Sequence, residues 1–168
     1  DCAITYQLPD IEGLAFSPMN RVKKEISLEQ WKTILEIGWQ AGIPHIFFTG
    51  GEPTLREDLA QLILYAEKIG QVTGLATDGT RLADKNYLST LLNAGLDHII
   101  ILFDIDNTRC LEAIKNSVSE NINTAAHLTI THASKANALS SINILSELGI
   151  NAISLSTNLP ELKSEVIR

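Results

Sequence analysis

With 168 residues, 45% hydrophobic side chains and a net charge of −7, the chain is long enough to bury one core and too apolar for disorder. Its acidity argues against a nucleic-acid backbone as partner, and no apolar run approaches the ~20 residues of a membrane span. Cys2 and Cys110 give no disulfide framework and fit the reducing cytoplasm; no signal peptide is visible, and a start at Asp1 rather than Met suggests one domain of a longer chain.

Strands and helices alternate along the sequence. SLEQWKTILEIGWQAG (27–42) predicts a helix capped by Ser27 with Gln30 three residues on, placing Trp31, Ile34, Leu35 and Gly38 on one face. HIFF (45–48) predicts a buried strand, and LREDLAQLILYAEKIG (55–70) a helix with Glu57 and Asp58 in its first turn. QVTGLAT (71–77) is a strand, LADKNYLSTLLNAG (82–95) a helix, and DHIIILF (97–103) a strand apolar on both faces. TRCLEAIKNSVSEN (108–121) is helical, AAHLTITH (125–132) a strand, KANALSSINILSELG (135–149) a helix and NAISLST (151–157) the last strand. AGIPHIFF, AGLDHIII and LGINAISL repeat one helix-to-strand junction, as stacked αβ units would. Right-handed crossovers make all strands parallel, in an α/β part-barrel or an open doubly wound sheet, with function at the strand C-termini. Residues 9–26 interrupt the rhythm as a long irregular loop with two prolines and a basic patch, a length associated with function or mobility.

The residues after the strands are Thr49, Gly50, Gly51 and Glu52; Thr77 and Asp78; Asp104 and Asp106; His132; and Thr157 and Asn158. The set is small, polar and acidic, without a glycine-rich phosphate loop. His45, His98, His127 and His132 share no ligand spacing and read as surface or structural histidines. Asp104 and Asp106 suit acid-base work or a cation, but Asp-x-Asp-Asn more often forms a turn with Asn107 or Thr108 capping the next helix.

FFTGGEP (47–53) asks for more than a turn. Glycine leaves a strand easily, Pro53 stiffens the exit and Thr54 can cap the following helix. A second glycine followed directly by glutamate adds backbone entropy cost without helping the turn. Paired glycines would leave main-chain donors and acceptors uncovered for a ligand such as an amino acid, with Glu52 beside its ammonium group.

FFTGGEPTLREDLAQLILYAEKIG resembles the strand-Gly-Gly-Glu-Pro-helix motif of the radical S-adenosylmethionine (radical SAM) family. LATDGTRL resembles the family's T-N-G-x-x-L strand end and AGLDHIIILFD its A-G-L-D-x-(apolar)-S-L-D segment, while HLTITH and LGINAISLST resemble its last two strands. The resemblance runs from about residue 27 to 157 and implies a parallel partial TIM barrel of (β/α)6 type. It implies that Gly50, Gly51, Glu52 and Pro53 meet the methionyl end of S-adenosylmethionine, with Thr77, Asp78 and Asp104 on neighbouring strand ends. Asp78 stands where the family has an amide, and Leu102 where it has a polar residue.

The family's [4Fe-4S] cluster takes three cysteines spaced C-x3-C-x2-C, and thiolates hold and tune such clusters. Aligned on CAITYQLP, the three positions are Cys2, Tyr6 and Pro9, with the usual first strand missing from the chain; alternatively CAITYQL is itself the first strand, with Ile4, Tyr6 and Leu8 on one face, and residues 9–26 hold no cysteine. Neither alignment supports a [4Fe-4S] site. The leading expectation is a radical-SAM-like domain without its cluster, acting as a binding, scaffolding or regulatory module with a small-molecule pocket at the strand ends, contacting other domains of a longer chain. The alternative is the core of an active radical SAM enzyme whose cluster ligands lie outside the chain. A third reading is a metal-independent α/β enzyme using Glu52, Asp78 and Asp104 as acid-base groups.

Overall fold

The computed structural model describes residues 1–9, 24–130 and 137–157. Among these, six strands alternate with five α-helices: β1 (Cys2–Thr5), α1 (Leu28–Gln40), β2 (His45–Gly50), α2 (Leu59–Lys68), β3 (Val72–Thr77), α3 (Lys85–Asn93), β4 (His98–Leu102), α4 (Thr108–Ser119), β5 (Asn123–Ile130), α5 (Ala138–Glu147) and β6 (Ala152–Thr157). Each strand pairs in parallel with the next, in the order β1-β2-β3-β4-β5-β6. A doubly wound sheet would reverse its order partway; this one does not, which makes it the open (β/α)6 part-barrel.

β1 resolves the two readings of CAITYQLP. Cys2 pairs with Phe48 and Thr5 with Gly50, so the first strand is present in the chain and Cys2 lies within it. The expectation of a missing first strand is thereby corrected. Much of the loop expected at 9–26, and His132 and Asn158, lie outside the described residues.

The register assigns every strand residue to one of two faces. Ile46, Phe48, Leu75, Ile99, Ile101, Ala126 and Leu128 are buried in the main core with Leu35, Leu62, Ile63, Leu88, Leu91 and Ile114 of the helices. The opposite, inner face follows the pairs Phe47–Gly74, Gly74–His98, Ile100–Ala125, Leu102–His127 and His127–Ser154. DHIIILF was expected to be apolar and buried on both faces; instead Leu102 is 47% exposed on the inner face. At the N-terminal end of that face the Phe47 ring stacks on His98 and lies over Gly74, where a Cβ would come within 2.5 Å of it.

Local chemistry sets the boundaries. Ser27 and Gln30 form the expected capping box on α1. Trp31 and Leu35 face the core, whereas Ile34 is partly exposed. The repeated junction has a physical basis: Gly95 and Gly149 are left-handed, and Asp97 and Asn151 then clasp the preceding strand. Asp97 accepts from the Thr73 N–H at 2.7 Å and donates its own N–H back to the Thr73 carbonyl; Asn151 does the same with Thr124. The helix expected from residue 55 starts at Leu59, because a 3₁₀ turn at Pro53–Leu55 precedes it and Arg56 is extended (φ −77°, ψ 119°). Similarly, a 3₁₀ turn over Thr80–Ala83 precedes α3, which is capped by Asp84.

Candidate functional site

The ends of β1, β2 and β3 meet around Glu52. Its side chain turns inward and is 3% exposed. Oε1 accepts from the Thr54 N–H (2.9 Å), the Thr54 hydroxyl (2.6 Å) and the Thr77 hydroxyl (2.7 Å); Oε2 accepts from the Asp78 N–H (2.8 Å). One carboxylate therefore caps its own 3₁₀ turn and ties the end of β2 to the end of β3. Charge-assisted bonds of this kind are the strong ones, and here four converge away from solvent. Thr54, expected to cap the following helix, is instead buried with its hydroxyl on Glu52.

The glycine pair has a steric cause. Gly50 is left-handed (φ +133°), and a Cβ there would fall 2.2 Å from the Thr5 carbonyl oxygen; at Gly51 it would fall 1.9 Å from that of Gln7. The segment after β1 runs directly against the turn, and the N–H groups of Gly51 and Glu52 donate to the Thr5 and Gln7 carbonyls at 2.8 and 2.7 Å. These two amides are thus engaged within the protein, unlike the uncovered donors expected from the sequence. An ammonium group needs acceptors, which these bonds do not occupy.

Around this centre lie side chains that the sequence reading passed over. Arg56 donates to the Ile4 carbonyl (2.8 Å) and makes a two-pronged ion pair with Asp58. Arg81 donates to the Thr54 carbonyl and stacks 4.1 Å from the Tyr87 ring, whose hydroxyl reaches the same carbonyl. Burial, joined by the nearby Glu52 charge and opposed by Arg81, pushes the Tyr87 phenol up. Glu25 clasps the exit of β1, accepting from the Thr5 hydroxyl (2.6 Å) and the Tyr6 N–H (2.9 Å). Partial burial opposes its ionisation, but these bonds and Arg56 outweigh it and hold the carboxyl below its ordinary value. Arg56, the charged residue five positions after the glycine pair, was the one available signal for this frame.

Asp78 makes an Asx turn onto the Thr80 N–H at 2.7 Å, and Asp104 accepts from the Asp106 N–H at 3.0 Å. Asn107 caps α4 through the Arg109 and Cys110 amides, one of the two capping residues anticipated for that turn. Asp104, Asp106, Thr129, Asn137 and Ser141 line a 220 Å³ cavity between the ends of β4 and β5 and the start of α5. That is below the ~300 Å³ at which small-molecule pockets usually begin. Glu52 and Asp78 are brought together; Glu52, with its oxygens engaged, is a poor acid-base group.

An iron-sulfur cluster does not fit the cysteines present. Cys2 is on β1 and Cys110 on α4, with β2 and β3 between β1 and the strand β4 that α4 follows. Burial raises both thiols, and at Cys110 it outweighs a hydrogen bond from the Asp104 backbone, the reverse of what a thiolate ligand needs. Among the described residues no group of three or more His, Cys, Asp or Glu side chains is arranged to hold a metal ion, and no helix is long and apolar enough to cross a membrane.

Comparison with known proteins agrees with this architecture. PqqA peptide cyclase of Bradyrhizobium diazoefficiens is 38% identical over 85 residues, 51% of this chain and 22% of that protein. Streptococcus suis SuiB bound to its precursor peptide SuiA superposes with a TM-score of 0.70 at 16% identity, over 95% of this chain and 36% of that one. SuiB bound to S-adenosylmethionine gives 0.66 at 17% identity, over 77% and 33%. The matched region is thus about a third or less of these relatives' length. The sequence pattern of the Radical SAM superfamily matches residues 2–167, and the chain belongs to that superfamily.

Proposed function

We infer that this chain is the core of a peptide-directed radical SAM-type protein in which residues 1–168 do not themselves ligate the cluster. The observation that carries the reading is the 38% identity with PqqA peptide cyclase, which acts on a peptide by its name, in a chain whose only cysteines are Cys2 and Cys110. On this reading any cluster ligands come from outside these residues. The chain's own part is to hold the ends of β1–β3 in register through Glu52 and to present the strand ends and inner face to cofactor and peptide. Gly50, Gly51, Glu52, Pro53, Thr77, Asp78 and Asp104 form the cofactor end. S-adenosylmethionine is the ligand proposed there, its amino group meeting the Gly-Gly turn.

A second reading is a cluster-free binding, scaffolding or regulatory module. The two thiols with raised pKa and the hydrogen bonds that Glu52 makes to Thr77 and Asp78 favour it. Anaerobic reconstitution with iron and sulfide, on this chain and on the full-length gene product, separates the two. The first reading expects a [4Fe-4S] absorbance and reductive cleavage of S-adenosylmethionine only in the full-length product; neither in both samples establishes the module. One cluster per 168-residue chain overturns the claim that these residues do not ligate it. Calorimetric titration with S-adenosylmethionine tests the cofactor end, where a micromolar Kd (about −8 kcal/mol) without cluster would show a pocket that binds unaided.

A further inference from the structure

The inner face of the sheet changes character from one end of β5 and β6 to the other. Near its middle it is floored by small or aliphatic residues, Ala76, Ile100, Ala125 and Ala152, which the register sets side by side. One pleat further, His127 pairs with Ser154, and after it Thr129 pairs with Ser156. The His127 imidazole bridges the two serines, with Nδ1 3.1 Å from Ser154 Oγ and Nε2 3.1 Å from Ser156 Oγ. Ser156 Oγ donates in turn to Thr129 Oγ1 at 3.2 Å. Both serines are exposed, and Leu102 flanks His127 from the other side, on β4.

One proton arrangement satisfies the whole row. With Ser156 giving its one proton to Thr129, it accepts from His127, and the imidazole proton then sits on Nε2. Nδ1 is then the acceptor and takes the proton of Ser154. With both hydroxyl protons engaged inward, Ser154 keeps two lone pairs and Ser156 one for the inner face. Ser154 and Ser156 lie two residues apart on one strand, roughly 6.6 Å along it. The same-side N–H groups of an extended peptide repeat at that distance.

We propose that Ser154 and Ser156, oriented by His127, accept successive same-side main-chain N–H groups of an extended peptide lying on the inner face, with Leu102 and the small floor beneath its side chains. This deepens the peptide-directed reading and rests on it. His127 is a positioning residue: it aims the two hydroxyls and does not itself meet the peptide. Sequence is read weakly by such contacts and main-chain geometry strongly, because every non-proline residue carries the same N–H.

The experiment is NMR titration of the isotope-labelled 168-residue protein with a capped, uncharged hexapeptide of alternating threonine and alanine. A matched peptide N-methylated at every second amide serves as control. We expect saturable shifts centred on β5 and β6, about fivefold weaker binding for each of Ser154→Ala and Ser156→Ala, and loss with the N-methylated peptide. The long-range ¹H–¹⁵N spectrum of His127 should show the Nε2–H tautomer before peptide is added, a readout that needs no ligand. No binding to the wild-type protein overturns the peptide-directed reading together with this one. Binding that ignores both serine substitutions and N-methylation, or an Nδ1–H tautomer, overturns the serine row alone. Unchanged melting of the two exposed-serine variants confirms that a loss is local.

Discussion

Replacing Glu52 by alanine removes the acceptor for four donors at once: the Thr54 and Asp78 amides and the Thr54 and Thr77 hydroxyls. A hydrogen bond to a charged group contributes about 1.5–3 kcal/mol, but part is offset by relief of the buried carboxylate's desolvation and by water reaching the hydroxyls. The net expected loss is about 4 kcal/mol, or roughly 10 °C in Tm for a domain of this size. Glu52→Gln keeps an acceptor for three donors but turns an NH₂ group onto the Asp78 N–H, so a loss of about 2 kcal/mol is expected. Urea unfolding followed by circular dichroism and tryptophan fluorescence measures both, with Leu139→Ala on the exposed face of α5 as a control that should change little. Amide exchange gives the local readout, since protection at Thr54 and Asp78 should fall first. If Glu52→Ala unfolds within about 1 kcal/mol of wild type and leaves the Asp78 amide protected, the carboxylate does not hold the strand ends together and the reasoning fails.

Other consequences of the same geometry are open to measurement. Gly51→Ala should cost at least about 3 kcal/mol, since its Cβ would meet the Gln7 carbonyl. Gly42→Ala should cost only about 1 kcal/mol, because it has space around it and a left-handed φ as its sole penalty; equal melting temperatures for the two would refute the close approach. The Glu25 carboxyl is depressed in the folded state, so its contribution is present above the ordinary value of 4.5 and lost as pH falls through the folded value. Amide exchange at Tyr6 should therefore accelerate in acid below that point, and a Glu25→Gln variant should lose the dependence. With Cys110 fully buried and its thiol raised, Ellman's reagent at neutral pH should leave it unmodified until guanidinium unfolds the chain; fast reaction of both cysteines in the native protein would contradict its placement.

The alternation of elements was readable because each helix carries an apolar stripe and most end in glycine, while each strand is a short apolar run. The glycine pair was readable as unusual, but its cause was not. The steric demand comes from the backbone of Thr5–Gln7, more than forty positions away, and no local pattern reports such an approach. Glu52 was expected to face a ligand because a carboxylate beside paired glycines suits an ammonium group. Whether it turns inward depends on donors at Thr77 and Asp78, which only the β2–β3 pairing supplies. The break before α2 was hidden for the same reason, as Arg56 leaves the helix to reach the Ile4 carbonyl. His127 read as a surface or structural histidine; its serines lie on the next strand, and only register joins them.

The unbroken strand order also shapes how the chain is made. Pairing partners from β2 onward lie only about 25 residues apart, so each new βα unit can dock on its predecessor as it leaves the ribosome. β1 is the exception: Cys2 must wait for Phe48, about 45 residues later. The Gly-Gly turn cannot assemble against Thr5–Gln7 until that long closure is complete. This crowded turn thus depends on a contact far from local in the chain, and a pause in synthesis once β2 has left the ribosome would favour its correct formation.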